Sequence, residues 1–150
     1  WYPVMGIRAA ATNDLTKRAR ILPTSVTFAV ASVATGATVL QVGLMMLATP
    51  NTGATYAVIT GGSAAVIDIA ATAATAVTGT LIWTGNIPNV VGCYTFDLKT
   101  LNDNMNVIGT VASGAQAITG AGNLTVVAGC VQTATVGAGI VASLNWKELV

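Results

Sequence analysis

The chain has 150 residues, of which 53% are apolar but only 5% aromatic and 7% charged, and its net charge is +1. That length makes one domain, able to bury roughly 70% of the surface its unfolded form exposes. High hydrophobicity with almost no net charge excludes a disordered chain, and the absence of His excludes Ser-His and Cys-His nucleophile activation.

Charge is distributed very unevenly. Residues 1–20 hold Arg8, Lys17, Arg18 and Arg20 against Asp14, a local +3 that leaves −2 for the remaining 130 residues. From Ile21 to Phe96, 76 residues, Asp68 is the only charged side chain. A typical soluble domain would place on the order of 19 charges in such a run. A stretch this uncharged belongs in a membrane, in an unusually apolar core, or under neighbouring copies of the chain.

Trp1 to Ala11 shows no sustained period, and Pro3 and Gly6 argue against a helix there. Thr12-Asn13-Asp14 can cap a helical turn over Leu15 to Arg20, which Pro23 ends. Residues 1–20 therefore read as an extended, partly helical arm outside the core, and residues 21–150 as a single domain. The chain opens on Trp1-Tyr2-Pro3 without an initiator Met, which predicts a precursor with its leader removed.

From Pro23 onward, turn signals recur every 8 to 14 residues, the spacing of an all-β sandwich or barrel. Thr24 to Val33 alternates, with Val26, Phe28 and Val30 opposing Ser25, Thr27 and Ala29. A turn at Thr35-Gly36 leads to Thr38–Ala48, which is apolar on both faces and predicts a strand covered on both sides. Pro50 to Gly53 turns the chain again. Ala54–Thr60 and Ala64–Ala70 read as strands joined at Gly61-Gly62-Ser63, with Asp68 on the second. Ala70–Ala76 is a turn or bulged strand leading into Val77–Thr84.

Gly85-Asn86 and Pro88 break the pattern before Asn89–Lys99, where Val90, Tyr94, Phe96 and Leu98 oppose Val91, Cys93, Thr95 and Asp97. Asn104–Val111, Gln116–Thr119, Leu124–Val136 and Gly139–Trp146 complete the set. Nine or ten short strands are most economically buried as an antiparallel two-sheet sandwich, jelly-roll-like, with the N-terminal arm extending from it. Val- and Thr-rich composition supports strands over lipid-spanning helices. Thr24–Ala48 is long enough to span a ~30 Å hydrocarbon layer, but its alternation and the Pro50-Asn51 stop favour strands.

No constellation of residues points to catalysis. Asp14, Asp68, Asp97, Asp103 and Glu148 never pair at short spacing, so no acid/base couple is evident. Asp97 and Asp103, with Asn102 and Asn104, could hold calcium through oxygen ligands, although solvated loop residues fit better and no EF-hand pattern is present. Gly137-Ala138-Gly139-Ile140-Val141-Ala142 has the letters of a dinucleotide fingerprint, but no room remains for the helix and following strand that the fingerprint needs. No metal or cofactor is expected. Cys93 and Cys130 fit one disulfide, or equally two buried thiols in separate strands. Asn123-Leu124-Thr125 is a glycosylation sequon at a strand start.

These features predict a non-enzymatic structural subunit that assembles with copies of itself into an extracellular filament or surface assembly. The arm would dock on, or complete, a neighbouring subunit through Trp1, Tyr2, Val4, Met5 and Ile7, with Arg8, Lys17, Arg18 and Arg20 as its basic part. A viral capsid or capsid-decorating protein of the virion is the alternative, with the basic arm turned toward nucleic acid, although four basic residues are few for packaging a genome. A monomeric ligand-binding module using Trp83 or Tyr94 as an aromatic platform is a third reading.

Overall fold

The computed structural model of the chain describes residues 1–9, 20–47, 54–59, 65–68, 76–99, 126–132 and 139–149. The elements among them are nine strands: β1 (Tyr2–Ala9), β2 (Arg20–Val30), β3 (Val39–Leu47), β4 (Tyr56–Val58), β5 (Ala65–Asp68), β6 (Thr80–Pro88), β7 (Gly92–Asp97), β8 (Val126–Gln132) and β9 (Ile140–Leu149). They form a six-stranded sheet in the order β4-β5-β1-β8-β3-β6 and a three-stranded sheet in the order β7-β2-β9. Every pairing is antiparallel. The expected strands at 104–111 and 116–119, the helical turn before Arg20 and the Asp103 loop lie outside the described residues.

The alternation of β2 sets the smaller sheet. Val26, Phe28 and Val30 are buried, and across the ladder they face Phe96, Tyr94 and Gly92 of β7 and Leu144, Ala142 and Ile140 of β9. The opposite face carries hydroxyls and amides. There the Thr27 and Thr95 hydroxyls lie 2.8 Å apart, and Asn145 Nδ2 donates to Ser25 Oγ at 2.9 Å. Strand β2 starts before Pro23, the residue expected to delimit it. Pro23 lies outside the span paired with β7, at a register shift against β9, and a bulge tolerates a residue that cannot donate to the ladder.

Strand β3 is the apolar-on-both-faces segment; one face is covered along the strand, whereas the other is covered at Gly43 and Met45 but exposed at Val39 and Gln41. Leu40, Val42 and Leu44 enter the main core, while Met45 turns to the other side of the sheet. The turn before it has Gly36 at φ +83°, a left-handed conformation that Gly adopts without Cβ strain.

Strand β6 corrects the sequence expectation. It runs unbroken from Thr80 through Gly85-Asn86 to Pro88, where a break was anticipated. Two causes are visible. At the end of the sheet order, β6 pairs only with β3 among the described strands, and an edge position accommodates a proline with no N–H to contribute. Gly85 stays in the strand because the Trp83 ring lies over it: a Cβ built on Gly85 would come within 2.7 Å of that ring. Trp83 in turn meets Phe96 of β7, with ring centroids 4.8 Å apart and planes tilted by 59°, joining the edges of the two sheets.

One core is shared by both sheets. Phe28, Val26, Val30, Ile140 and Leu144 come from the three-stranded sheet, and Val4, Met5, Ile7, Leu40, Val42, Leu44, Ile87 and Val131 from the six-stranded one. A smaller cluster forms around Met45 and Cys130, with Trp1, Tyr56 and Val77 packed on it.

The N-terminal residues are the second correction. Tyr2–Ala9 is an interior strand of the six-stranded sheet, paired with β5 on one side and β8 on the other, so the first nine residues are part of this core and not an arm outside it. The physical reason lies in the side chains. Val4, Met5 and Ile7 form an apolar set dense enough to be buried, and the period looked irregular only because the register against β8 shifts between Pro3 and Met5.

Candidate functional site

Among the described residues, no group of three or more His, Cys, Asp and Glu gathers where it could hold a metal ion. Asp97 Oδ1 accepts from the Lys99 backbone N–H at 2.8 Å, a local turn closure. Asp103, Lys17, Arg18 and the sequon at Asn123 lie outside the described residues. No described helix is long and apolar enough to cross a membrane. Gly139 runs directly into strand β9 instead of opening a helix, so the glycine pattern there has a strand context.

The two cysteines occupy different sheets and are not bonded to each other. Cys93 is exposed on β7, while Cys130 on β8 is fully buried, and burial pushes its thiol up to about 12. The disulfide expectation fails because the side chains point into different surroundings. Of the alternative, two buried thiols in separate strands, the separate strands are seen for both cysteines and burial for Cys130 only. Tyr94 and Trp83 are half-buried against the core, and the Tyr94 hydroxyl donates to the Val90 carbonyl at 3.0 Å.

The residues expected to act in the arm instead come together in the seat of β1. Trp1 and Tyr2 are half-buried, while Val4, Met5 and Ile7 are buried. Arg8 lies on β1 opposite Val66, and Arg20 opens β2 opposite Leu149. The seat is shaped by two glycines in neighbouring strands. A Cβ on Gly129 of β8 would come within 2.6 Å of Met5 Cγ, and one on Gly43 of β3 within 3.2 Å of the Trp1 ring. Gly129 is therefore a recess filled by Met5 on the core side, while the space at Gly43 on the far side is closed jointly by the Trp83 carbonyl and Leu81 of β6, at 2.9 and 3.0 Å from such a Cβ, and by Trp1. The Trp1 carbonyl also accepts from the Val77 backbone N–H at 2.8 Å, fastening the start of β1. A glycine inside an apolar strand is a sequence signal for such close approach, and Gly43 and Gly129 were legible on that ground.

The second feature is the surface. Asp68, the single charge between Ile21 and Phe96, is only 8% exposed, and its Oδ1 accepts from the Thr55 backbone N–H at 2.9 Å. The surface presented by this long run consequently carries no exposed formal charge. Apolar side chains gather at one end of the strands. Val33, Val39, Val90 and Val91 are all more than half exposed, in the β2–β3 loop, at the start of β3 and in the β6–β7 corner. The described exposed charges Asp97, Lys99 and Lys147 lie toward the opposite end, where β7 finishes and β9 pairs with Leu22.

Asn89 ties the apolar end together through hydrogen bonds. It is buried at 5% exposure, and its Oδ1 accepts from the Ala34 backbone N–H at 2.9 Å. Its Nδ2 donates to the Ala34 and Ala37 carbonyls at 2.6 and 2.7 Å, and its own backbone N–H donates to the Thr38 carbonyl at 3.1 Å. One side chain thus supplies the backbone partners of a loop 55 residues away in sequence. Periodicity gives no signal for this role.

No match is found among family models, curated proteins or solved structures. Geometry and composition are therefore the grounds on which a function is argued.

Proposed function

We propose that this chain is a structural subunit that assembles with copies of itself into an extracellular filament or surface assembly, its two sheets arranged as a jelly-roll-like sandwich. One observation carries the reading: the only charge in a 76-residue run is buried, so the surface of that run is uncharged while Val33, Val39, Val90 and Val91 stand exposed at one end of it. An isolated soluble protein is kept apart from its copies by charged surface, and exposed contiguous apolar patches mark places where another surface is covered. Neighbouring copies offer a surface of the matching neutral kind. The role is structural rather than catalytic, with other copies as the partners and no cofactor.

The same neutral surface would serve a closed shell, and the +3 balance of residues 1–20 would then face nucleic acid. Sedimentation velocity of the purified chain at rising concentration, followed by negative-stain microscopy, separates these outcomes. Filaments or sheets of regular repeat are expected. Closed particles with nuclease-sensitive content would favour the capsid reading, and a stable monomer at high concentration would overturn self-assembly altogether.

A further inference from the structure

We infer that β1 is an exchanged strand: in the assembled protein, residues 1–9 of one copy fill the seat between β5 and β8 of the next. The inference rests on the self-assembly reading and names the surface that performs it.

Three observations point to it. First, β1 is an interior strand whose two partners are far from it in sequence, β5 at Ala65–Asp68 and β8 at Val126–Gln132, while β2, the next strand of the chain, belongs to the other sheet. No hairpin ties β1 to the strands it pairs with, and its link to every other described strand is residues 10–19. Second, in the sheet order β1 alone joins the β4-β5 pair to β8, so a copy lacking it has a six-stranded sheet split in two. Third, the seat is specific. It has a recess at Gly129 for Met5, a place for the Trp1 ring against Gly43 beside Leu81, a backbone bond from Val77 to Trp1, and full burial for Ile7.

A strand from a second copy of this chain reproduces every one of these contacts, because the occupant is chemically identical. Exchange therefore sacrifices no contact within the seat, and the choice between own and neighbouring seat falls to the link. Ten residues span at most about 33–36 Å, which bounds how far one seat can lie from the next. Asp14, Lys17 and Arg18 make that link hydrophilic, suited to cross a subunit boundary in water. Passing β1 from copy to copy is a heterologous contact and propagates as a chain unless its rotation closes a ring.

The register supplies the test. Pro3 lies opposite Cys130 across β1 and β8, so Pro3→Cys in a Cys93→Ser background places one new thiol beside a native one. The full-length variant is assembled, oxidised, denatured and run without reductant. Exchange predicts a ladder of covalent multimers that collapses to monomer on reduction. Monomer with both thiols consumed, from assemblies of normal appearance, would overturn exchange and leave self-assembly intact. A chain that stays monomeric in sedimentation, with or without the substitution, would overturn self-assembly and exchange together. A second variant, Ile7→Cys with Ile67→Cys and both native cysteines changed to Ser, repeats the experiment across β1 and β5. Assemblies in which neither variant forms any cross-link, within or between chains, also overturn the inference, since β1 would then occupy no seat at all.

Discussion

Replacing Asn89 by Ala removes three hydrogen bonds at once and leaves the Ala34 N–H and the Ala34 and Ala37 carbonyls facing the space the amide filled. A typical bond contributes about 1 kcal/mol net, and a buried group left without its partner costs about 1–3 kcal/mol, so a loss of about 3–5 kcal/mol is expected for the three. Such a loss is a large fraction of the 5–15 kcal/mol by which domains are usually stable, and in a chain of this size lowers Tm by roughly 6–20 °C. Urea unfolding followed by tryptophan fluorescence measures it, with exposed Asn86→Ala on the preceding strand β6 as a control expected within about 0.5 kcal/mol of wild type.

Asn89→Asp sharpens the test. A carboxylate can still accept from Ala34 N–H, but its second oxygen would face two carbonyl oxygens where the amide now donates at 2.6 and 2.7 Å. The protonated acid could donate to one of them, so folding raises its pKa above the unfolded value of about 3.9. The stabilising contribution of the neutral form is then complete below that value and is lost as pH rises through the raised folded pKa. Measured against wild type at each pH, the Asp variant should be least impaired in acid and most impaired at neutrality. An Ala variant within 1 kcal/mol of wild type, or an Asp deficit that does not grow with pH, would refute the view that this amide holds the loop.

The Gly129 recess predicts a coupled pair: Gly129→Ala drives a Cβ to within 2.6 Å of Met5 Cγ and should cost about 1–3 kcal/mol by overpacking, part of which Met5→Ala in the same chain should restore in a double-mutant cycle. Additive losses would show that the two do not touch. Gly36→Ala meets no atom within 4 Å, so its expected loss of about 1–2 kcal/mol by thermal unfolding is conformational only, and a neutral effect would deny the left-handed turn. The Cys130 thiol, raised from 9.0 to about 12 by burial, stays neutral in the folded state while the unfolded chain ionises. Its contribution is complete below pH 9 and declines through pH 12 by about 1.4 kcal/mol per unit, so denaturation at pH 8 and pH 10.5 should show a steeper loss in the native chain than in Cys130→Ala. Equal slopes would contradict burial of this thiol.

Much of the strand framework was readable because alternation is a local property. Val26, Phe28 and Val30 specify one face of β2 whatever they pack against, and the two-faced apolarity of β3 predicted cover on both sides, which its far face receives at Gly43 and Met45 but not at Val39 and Gln41. The Thr35-Gly36 turn follows equally from local chemistry. Where expectation and structure part, the deciding partner is remote. Pro88 ends a strand by local rules but is tolerated because β6 is paired only on its β3 side among the described strands. Gly85 reads as a break but is covered by the Trp83 ring.

The candidate site divides in the same way. Amino-acid order alone determined that the run from Ile21 to Phe96 is uncharged apart from Asp68, and that Trp1, Tyr2, Val4, Met5 and Ile7 are an apolar group needing cover. Which surface covers them is a question of pairing between residues as far apart as Tyr2 and Val131, and no local pattern encodes that. Only the tertiary structure decided that β1 lies between β5 and β8, that Gly129 is a recess for Met5, and that Asp68 is turned inward. Burial is a property of the whole chain, since a strand's hydrogen bonds and apolar face are satisfied by whichever distant segment brings the matching edge.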